Sequence, residues 1–165
     1  LDGQTLEFGE LPDSRPNWST LLAECGRDAV RAALIAAPGQ PVRFAPPRET
    51  LEEPLFFLQY ALARARRLAA FEFPDGDAPM PEAARALRVA LALYADRLAA
   101  AGTARAPWRL WTILTEIAQA FYAFVRRCPP GDTPWTGYGH LISASESVLS
   151  NGLEALMFLS IPADV

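Results

Sequence analysis

Four long segments of this chain repeat apolar residues at three- and four-residue intervals, and Pro or Gly stands near the end of each. That period lines apolar side chains along one face of an α-helix, whereas a half-buried strand needs strict alternation, which no stretch sustains. The fold class read from the pattern is all-α, an antiparallel bundle of about six helices joined by short loops. Residues 1–17 read as an extended lead-in with at most a minor strand pairing, and 18–165 as one helical bundle. A short helix from Trp18 to Cys25 is expected to end at Gly26, which can take a left-handed conformation. Asp28 then caps a second helix that turns Ala29, Val30, Ala33 and Leu34 toward the core. Four prolines in 38–49 predict an extended crossing. Thr50-Leu51-Glu52-Glu53 has capping-box spacing and predicts a helix from 51 to about 72. Further helices are expected over roughly 81–101, 107–127 and 137–157.

At 165 residues and 51% hydrophobic, the chain has material for one sizeable core. No run reaches the roughly 18 apolar residues of a membrane helix. Cys25 and Cys128 form no CxxC pair and have no His or Cys at ligand spacing, so no metal site is expected and both are read as free thiols. Free thiols suit a reducing compartment, and the cytoplasm is the expected location. The absence of an initiating Met and of a leader suggests a piece of a longer protein. Net charge is −4, which argues against indiscriminate nucleic-acid binding and leaves specific binding open. All fifteen basic residues are Arg, whose planar guanidinium suits phosphates and stacked bases.

Segment 51–72 carries two stripes at helical spacing. Leu51, Leu55, Leu58, Leu62, Ala65 and Ala69 make a core face. Phe57, Tyr60, Arg64, Arg67 and Phe71 follow in steps of three and four, so aromatic rings and guanidinium groups share a second strip. Unpaired bases stack on such rings while Arg holds the backbone. The same pattern also fits rings packed on a neighbouring helix with arginines reaching solvent over them.

Glu53-Pro54-Leu55-Phe56-Phe57-Leu58-Gln59-Tyr60-Ala61-Leu62-Ala63-Arg64 resembles the N-P-V-x-Y-V-Q-Y-A-H-A-R stretch that opens the anticodon-binding domain of arginyl-tRNA synthetases. Upstream, Leu21 to Arg31 is similar to L-L-x-E-x-G-x-D-A-x-R, the motif behind the domain name DALR. Ile117-Ala118-Gln119-Ala120-Phe121-Tyr122-Ala123-Phe124 with Cys128 resembles L-A-x-x-F-x-x-F-Y-x-x-C. Val148-Leu149-Ser150-Asn151-Gly152-Leu153 with Leu159 and Ile161 resembles V-L-x-N-G-L-x-L-L-G-I. The resemblance implies a helical bundle of class I synthetase type and a tRNA partner, with Phe57, Tyr60 and Arg64 facing the anticodon loop. Departures are plain: Phe57 replaces a Tyr, Leu62 a His, and Glu146 stands where a basic residue is frequent. The chain also ends on Asp164-Val165 where the family closes on a Met. No H-I-G-H-like segment occurs, and Glu7 to Ser14 holds no K-M-S-K-type loop, so this chain alone is expected to catalyse no aminoacylation and to need no cofactor.

The remaining candidates read as structural. Gly26, Asp28 and Arg31 fit a helix junction with a cap and an ion pair. His140 has no companion ligand, and no carboxylates pair for acid–base work. Ser143, Ser147 and Ser150 share one side of the last helix and suit packing before phosphate. Trp108, Trp111, Trp135 and Tyr138 suit core or subdomain contacts, with Trp135 and Tyr138 as second-rank RNA or partner contacts in the last loop. The leading expectation is a non-catalytic tRNA-binding module using Phe57, Tyr60, Arg64 and Arg67. Its rivals are a protein-interaction scaffold that has lost RNA binding, consistent with Leu62 and Glu146, and the C-terminal part of a divergent arginine-tRNA ligase whose catalytic domain lies elsewhere.

Overall fold

A computed structural model describes residues 6–7, 17–39, 42–44, 46–74, 76, 81–127 and 137–157. Cys128, Trp135, Leu159, Ile161 and the 129–131 turn lie outside the described residues, as does most of the 1–17 lead-in. The fold is all-α: α1 (Trp18–Cys25), α2 (Arg27–Ala36), α3 (Pro54–Ala69), α4 (Glu82–Ala92), α5 (Tyr94–Thr103), α6 (Pro107–Arg127) and α7 (Gly139–Met157). A two-residue antiparallel ladder joins β1 (Leu6–Glu7) to β2 (Arg43–Phe44), pairing Leu6 with Phe44. The minor pairing expected of the lead-in is present, and the proline-rich crossing supplies its partner.

Helix ends follow local chemistry, with three corrections. Asn17 caps α1, its Oδ1 accepting from the Ser19 and Thr20 backbone N–H groups at 3.2 and 3.4 Å. Gly26 ends α1 and begins α2 at φ 78°, ψ 153°, a region that residues with a Cβ avoid, and its N–H donates to the Leu22 carbonyl at 3.1 Å. Because Gly26 serves both helices, Asp28 falls inside the first turn of α2 and makes no side-chain cap there. A carboxylate still suits that position, where the helix dipole is positive. The expected capping box is likewise absent: α3 begins at Pro54, and Thr50 to Glu53 form a separate turn, Glu53 N–H donating to the Thr50 carbonyl at 3.0 Å. Pro54 is the cause, since it pushes the residue before it out of the helical region, and Glu53 sits extended at φ −79°, ψ 117°. Leu51 therefore lies outside the helix and 44% exposed. The single helix expected over 81–101 is two, bent at Leu93, although backbone bonds continue through the bend from Leu93 to Val89 and from Arg97 to Leu93. No Pro or Gly marks that bend. Before it, α4 packs on α6 and α7, and past it α5 packs on α6.

The core is organised around α6, which touches α2, α3, α4, α5 and α7. Leu114, Ile117, Ala118, Phe121 and Phe124 are fully buried along it. Leu58, Leu62 and Ala65 of α3 meet them, with Ala84 and Leu87 of α4 and Ile142, Leu149 and Leu153 of α7. Each large apolar side chain enclosed this way contributes about 1.5–3 kcal/mol. The core stripe of α3 holds at Leu55, Leu58, Leu62 and Ala65, while Ala61 and Leu68 are buried in place of Leu51 and Ala69. On α2 the buried residues are Val30 and Ala32, and Leu34, expected inside, is 47% exposed. A satellite cluster of Leu21, Cys25, Val30 and Phe44 seals α1 and β2 to α2. Burial pushes the Cys25 thiol above its ordinary value, with Glu24 adding to the shift. At the α5–α6 seam Arg97 donates to Glu116 at 2.5 Å, which holds the Glu116 carboxyl below its usual range.

Close approach of α7 to α6 depends on Gly152. A Cβ built there would lie 2.4 Å from one methyl of Leu114 and 2.8 Å from the other, and Leu114 is fully buried. Gly102, near the end of α5, has open space around it. Gly152→Ala is therefore expected to lower stability by about 1–3 kcal/mol through overpacking, outweighing a helix-propensity gain of roughly 1 kcal/mol. Gly102→Ala is expected to be neutral or stabilising by up to about 1 kcal/mol. Chemical denaturation of both variants checks the pair, and an equally harmless Gly152→Ala would refute the close contact.

Candidate nucleic-acid interface

From Pro54 to Ala69, α3 contains Arg64, Arg66 and Arg67 and no acidic residue. With leucines committed to the core, the opposite flank carries Phe56, Phe57, Tyr60, Arg64 and Arg67, of which the first four are half-buried and Arg67 is exposed. Phe71, the end of the expected stripe, lies past the helix and is 65% exposed.

Helix α6 completes this surface. Tyr122 stands edge-on to Phe57 with ring centroids 5.9 Å apart at 73°, and edge-on to Tyr60 at 6.3 Å and 64°. Phe56 lies nearly parallel to Tyr60, centroids 6.4 Å apart. Arg126 places its guanidinium over the Tyr122 ring, 5.8 Å from the centroid. Four rings from two helices thus form one cluster with guanidinium groups reaching it from both. Edge-on pairs of this kind add about 0.5–1.5 kcal/mol beyond their buried area. Phe57 also packs on the main core, so part of the packing reading of the stripe holds for it.

Arg64 is held against this cluster. Its Nη1 donates to the Tyr60 hydroxyl at 3.3 Å, one helical turn back. Its Nε is sealed from solvent and makes no hydrogen bond. An unsatisfied buried donor costs about 1–3 kcal/mol, so the side chain has something to gain from an acceptor that draws it outward. Neither Arg64, Arg67 nor Arg126 has a carboxylate within ion-pair distance among the described residues.

The third arginine of α3 is tied down. Arg66 lies 3.6 Å from Glu146 through its Nε and donates from Nη2 to the Ser150 hydroxyl at 3.1 Å, linking α3 to α7. Glu146 therefore spends its charge on Arg66. Leu62, where the resembling family has His, is 1% exposed and inside the core. The two departures that favoured loss of RNA binding are thus an internal ion pair and a core side chain. Ser150 serves the same link, while Ser143 and Ser147 are exposed.

Of the second-rank contacts, Tyr138 must be withdrawn. It is 2% exposed and its ring meets Phe124 edge-on at 5.3 Å, so neither face is open to RNA or a partner. Trp135 falls outside the described residues. Trp111 is buried, Trp108 is 38% exposed, and His140 lies at the surface. The residues that sequence reasoning missed are Tyr122 and Arg126. The signal for them was present: Tyr122 and Arg126 repeat on α6 the four-residue spacing of Tyr60 and Arg64 on α3.

The two ends of the strip should respond differently to truncation. Phe57→Ala is expected to cost ~2 kcal/mol of stability, below the roughly 3–5 kcal/mol of a fully buried Phe because the ring is half-buried. Arg67→Ala should stay within about 0.5 kcal/mol. Denaturant titration decides, and a Phe57→Ala protein as stable as Arg67→Ala would contradict the packing of Phe57 on Tyr122 and the core.

No family model matches the chain, and no solved structure matches it. Two curated relatives do. An arginine–tRNA ligase of Paenarthrobacter aurescens (strain TC1) is 32% identical over 155 residues, covering 82% of this chain and 28% of the relative. An arginine–tRNA ligase of Anaeromyxobacter sp. (strain Fw109-5) is 32% identical over 179 aligned positions, covering 93% of this chain and 29% of the relative. The chain is therefore similar to arginine–tRNA ligases across most of its own length and spans less than a third of theirs.

Proposed function

We propose that this chain is a tRNA-binding module related to the anticodon-binding part of arginine–tRNA ligases, and that it grips an anticodon loop on the strip formed by Phe57, Tyr60, Arg64 and Arg67. The observation that carries this is the aromatic cluster of α3 and α6 with arginines that have no carboxylate partner among the described residues, in a chain whose relatives are tRNA ligases. Unpaired bases supply flat faces for the rings, and phosphates supply acceptors for the guanidinium groups. A phosphate beside Arg64 also gives its Nε the partner it lacks. The net charge of −4 does not oppose this, because the only charged side chains of α3 are its three arginines and exposed charges act over roughly 10 Å in ordinary salt.

Chemistry on the tRNA belongs, in this proposal, to a different part of the enzyme or to a partner. No helix of the described residues is long and apolar enough to cross a membrane, and a tRNA-binding role goes with a cytoplasmic location. Binding of labelled tRNA at fixed salt tests the proposal. Arg64→Ala and Tyr60→Ala should each weaken binding by about 1–3 kcal/mol, while Arg48→Ala, exposed and off the strip, should not. The purified chain should charge no tRNA with arginine. Binding no stronger than that of an unrelated acidic protein, or strip variants that match Arg48→Ala, would favour a scaffold that has lost RNA.

A further inference from the structure

Two Tyr-x-x-x-Arg pairs face each other across adjacent helices. Tyr60 and Arg64 lie one turn apart on α3, and Tyr122 and Arg126 one turn apart on α6. Their tyrosine rings meet at 6.3 Å, so the pairs form one continuous surface. In each pair the arginine rests on its own tyrosine: Arg64 on the hydroxyl at 3.3 Å, Arg126 on the ring at 5.8 Å. The second contact is near the outer limit of about 6 Å for a cation on an aromatic face, and Arg126 is exposed, so the guanidinium is held loosely. Helix α3 itself holds no acidic residue, and the last turn of α6 adds Arg127 to Arg126.

We propose that Tyr122 and Arg126 hold the nucleotide next to the one held by Tyr60 and Arg64, which makes the site a two-nucleotide reader of a single strand. The proposal rests on the RNA-binding reading above. In the free protein Arg126 covers the Tyr122 ring. On binding, the phosphate takes the guanidinium and the unpaired base takes the ring face that Arg126 leaves. Both ligands come from one nucleotide, so the exchange requires an unpaired base and its phosphate together. Rigid duplex RNA supplies the phosphate and no free base.

Three variants of the 165-residue chain test this with an anticodon stem–loop RNA. Arg126→Gln removes one phosphate contact from an exposed side chain and should leave folding unchanged. It should weaken binding several-fold and reduce the slope of log affinity against log salt by about 0.7, the single-strand value for one phosphate. Arg126→Lys, which keeps the charge, should restore most of that slope. Tyr122→Leu keeps apolar volume beside Phe57 and should weaken binding about tenfold to the normal loop. It should bind the same RNA carrying abasic loop positions as wild type does. Arg64→Ala in the same titrations separates the two claims. If it weakens binding while Arg126→Gln keeps both wild-type affinity and wild-type slope, the second subsite is wrong and the first stands. If wild type binds no stem–loop at all, both are wrong.

Discussion

Five of the other six helices are built against α6, and α1 joins them through α2. A helix of 21 residues that touches five others has little freedom in where its side chains point, and the fully buried series from Leu114 to Phe124 fixes its rotation. That rotation also decides what stays outside. With Ile117, Phe121 and Phe124 committed inward, Tyr122 and Arg126 emerge on the flank beside α3. The α7 side is closed by Gly152, where helix surfaces come too near for a β-carbon. Shape complementarity in the core thus sets the geometry of the proposed RNA surface, with Phe57 as the one ring of that surface that also packs on the core.

The proposed surface joins apolar and cationic groups that would each be unremarkable alone. Half-buried rings gain by packing on one another and on the core, Arg126 lies over the Tyr122 ring, and Arg64 is hydrogen-bonded to the Tyr60 hydroxyl. Such packing needs no RNA, and in the proposed binding mode phosphate draws Arg126 away and leaves the Tyr122 ring face to a base. Pairing of Arg66 with Glu146 and Ser150 uses the remaining arginine of α3 as a tie to α7. One helix therefore carries one cation paired with a carboxylate and two, Arg64 and Arg67, with none in ion-pair distance among the described residues, and the difference lies in which neighbour each faces.

Much of this was legible in the residues. The three- and four-step apolar period identified the bundle, and the two stripes of 51–72 separated Leu58 and Leu62 from Tyr60 and Arg64. Boundaries were harder to read where two local rules competed. Thr50 and Glu53 satisfy capping-box spacing, yet Pro54 restricts its predecessor and moves the helix start. Asp28 has cap chemistry, yet Gly26 already occupies the junction. The bend at Leu93 has no local marker, because it lies between packing partners distant in sequence. Tyr138 looked like a loop aromatic and proved to be core, since only the fold brings Phe124 beside it. Tyr122 and Arg126 escaped for a related reason: which flank of α6 meets α3 is a tertiary fact.

Where RNA touches the protein is the most direct measure of the account. Ultraviolet cross-linking of bound tRNA, followed by mass spectrometry of the RNA-linked peptides, maps contacts without altering any side chain. Adducts concentrated in the α3 peptide containing Tyr60 and the α6 peptide containing Tyr122 are the predicted result. Adducts confined to α4 and α5, with both tyrosine peptides unmodified, would contradict it.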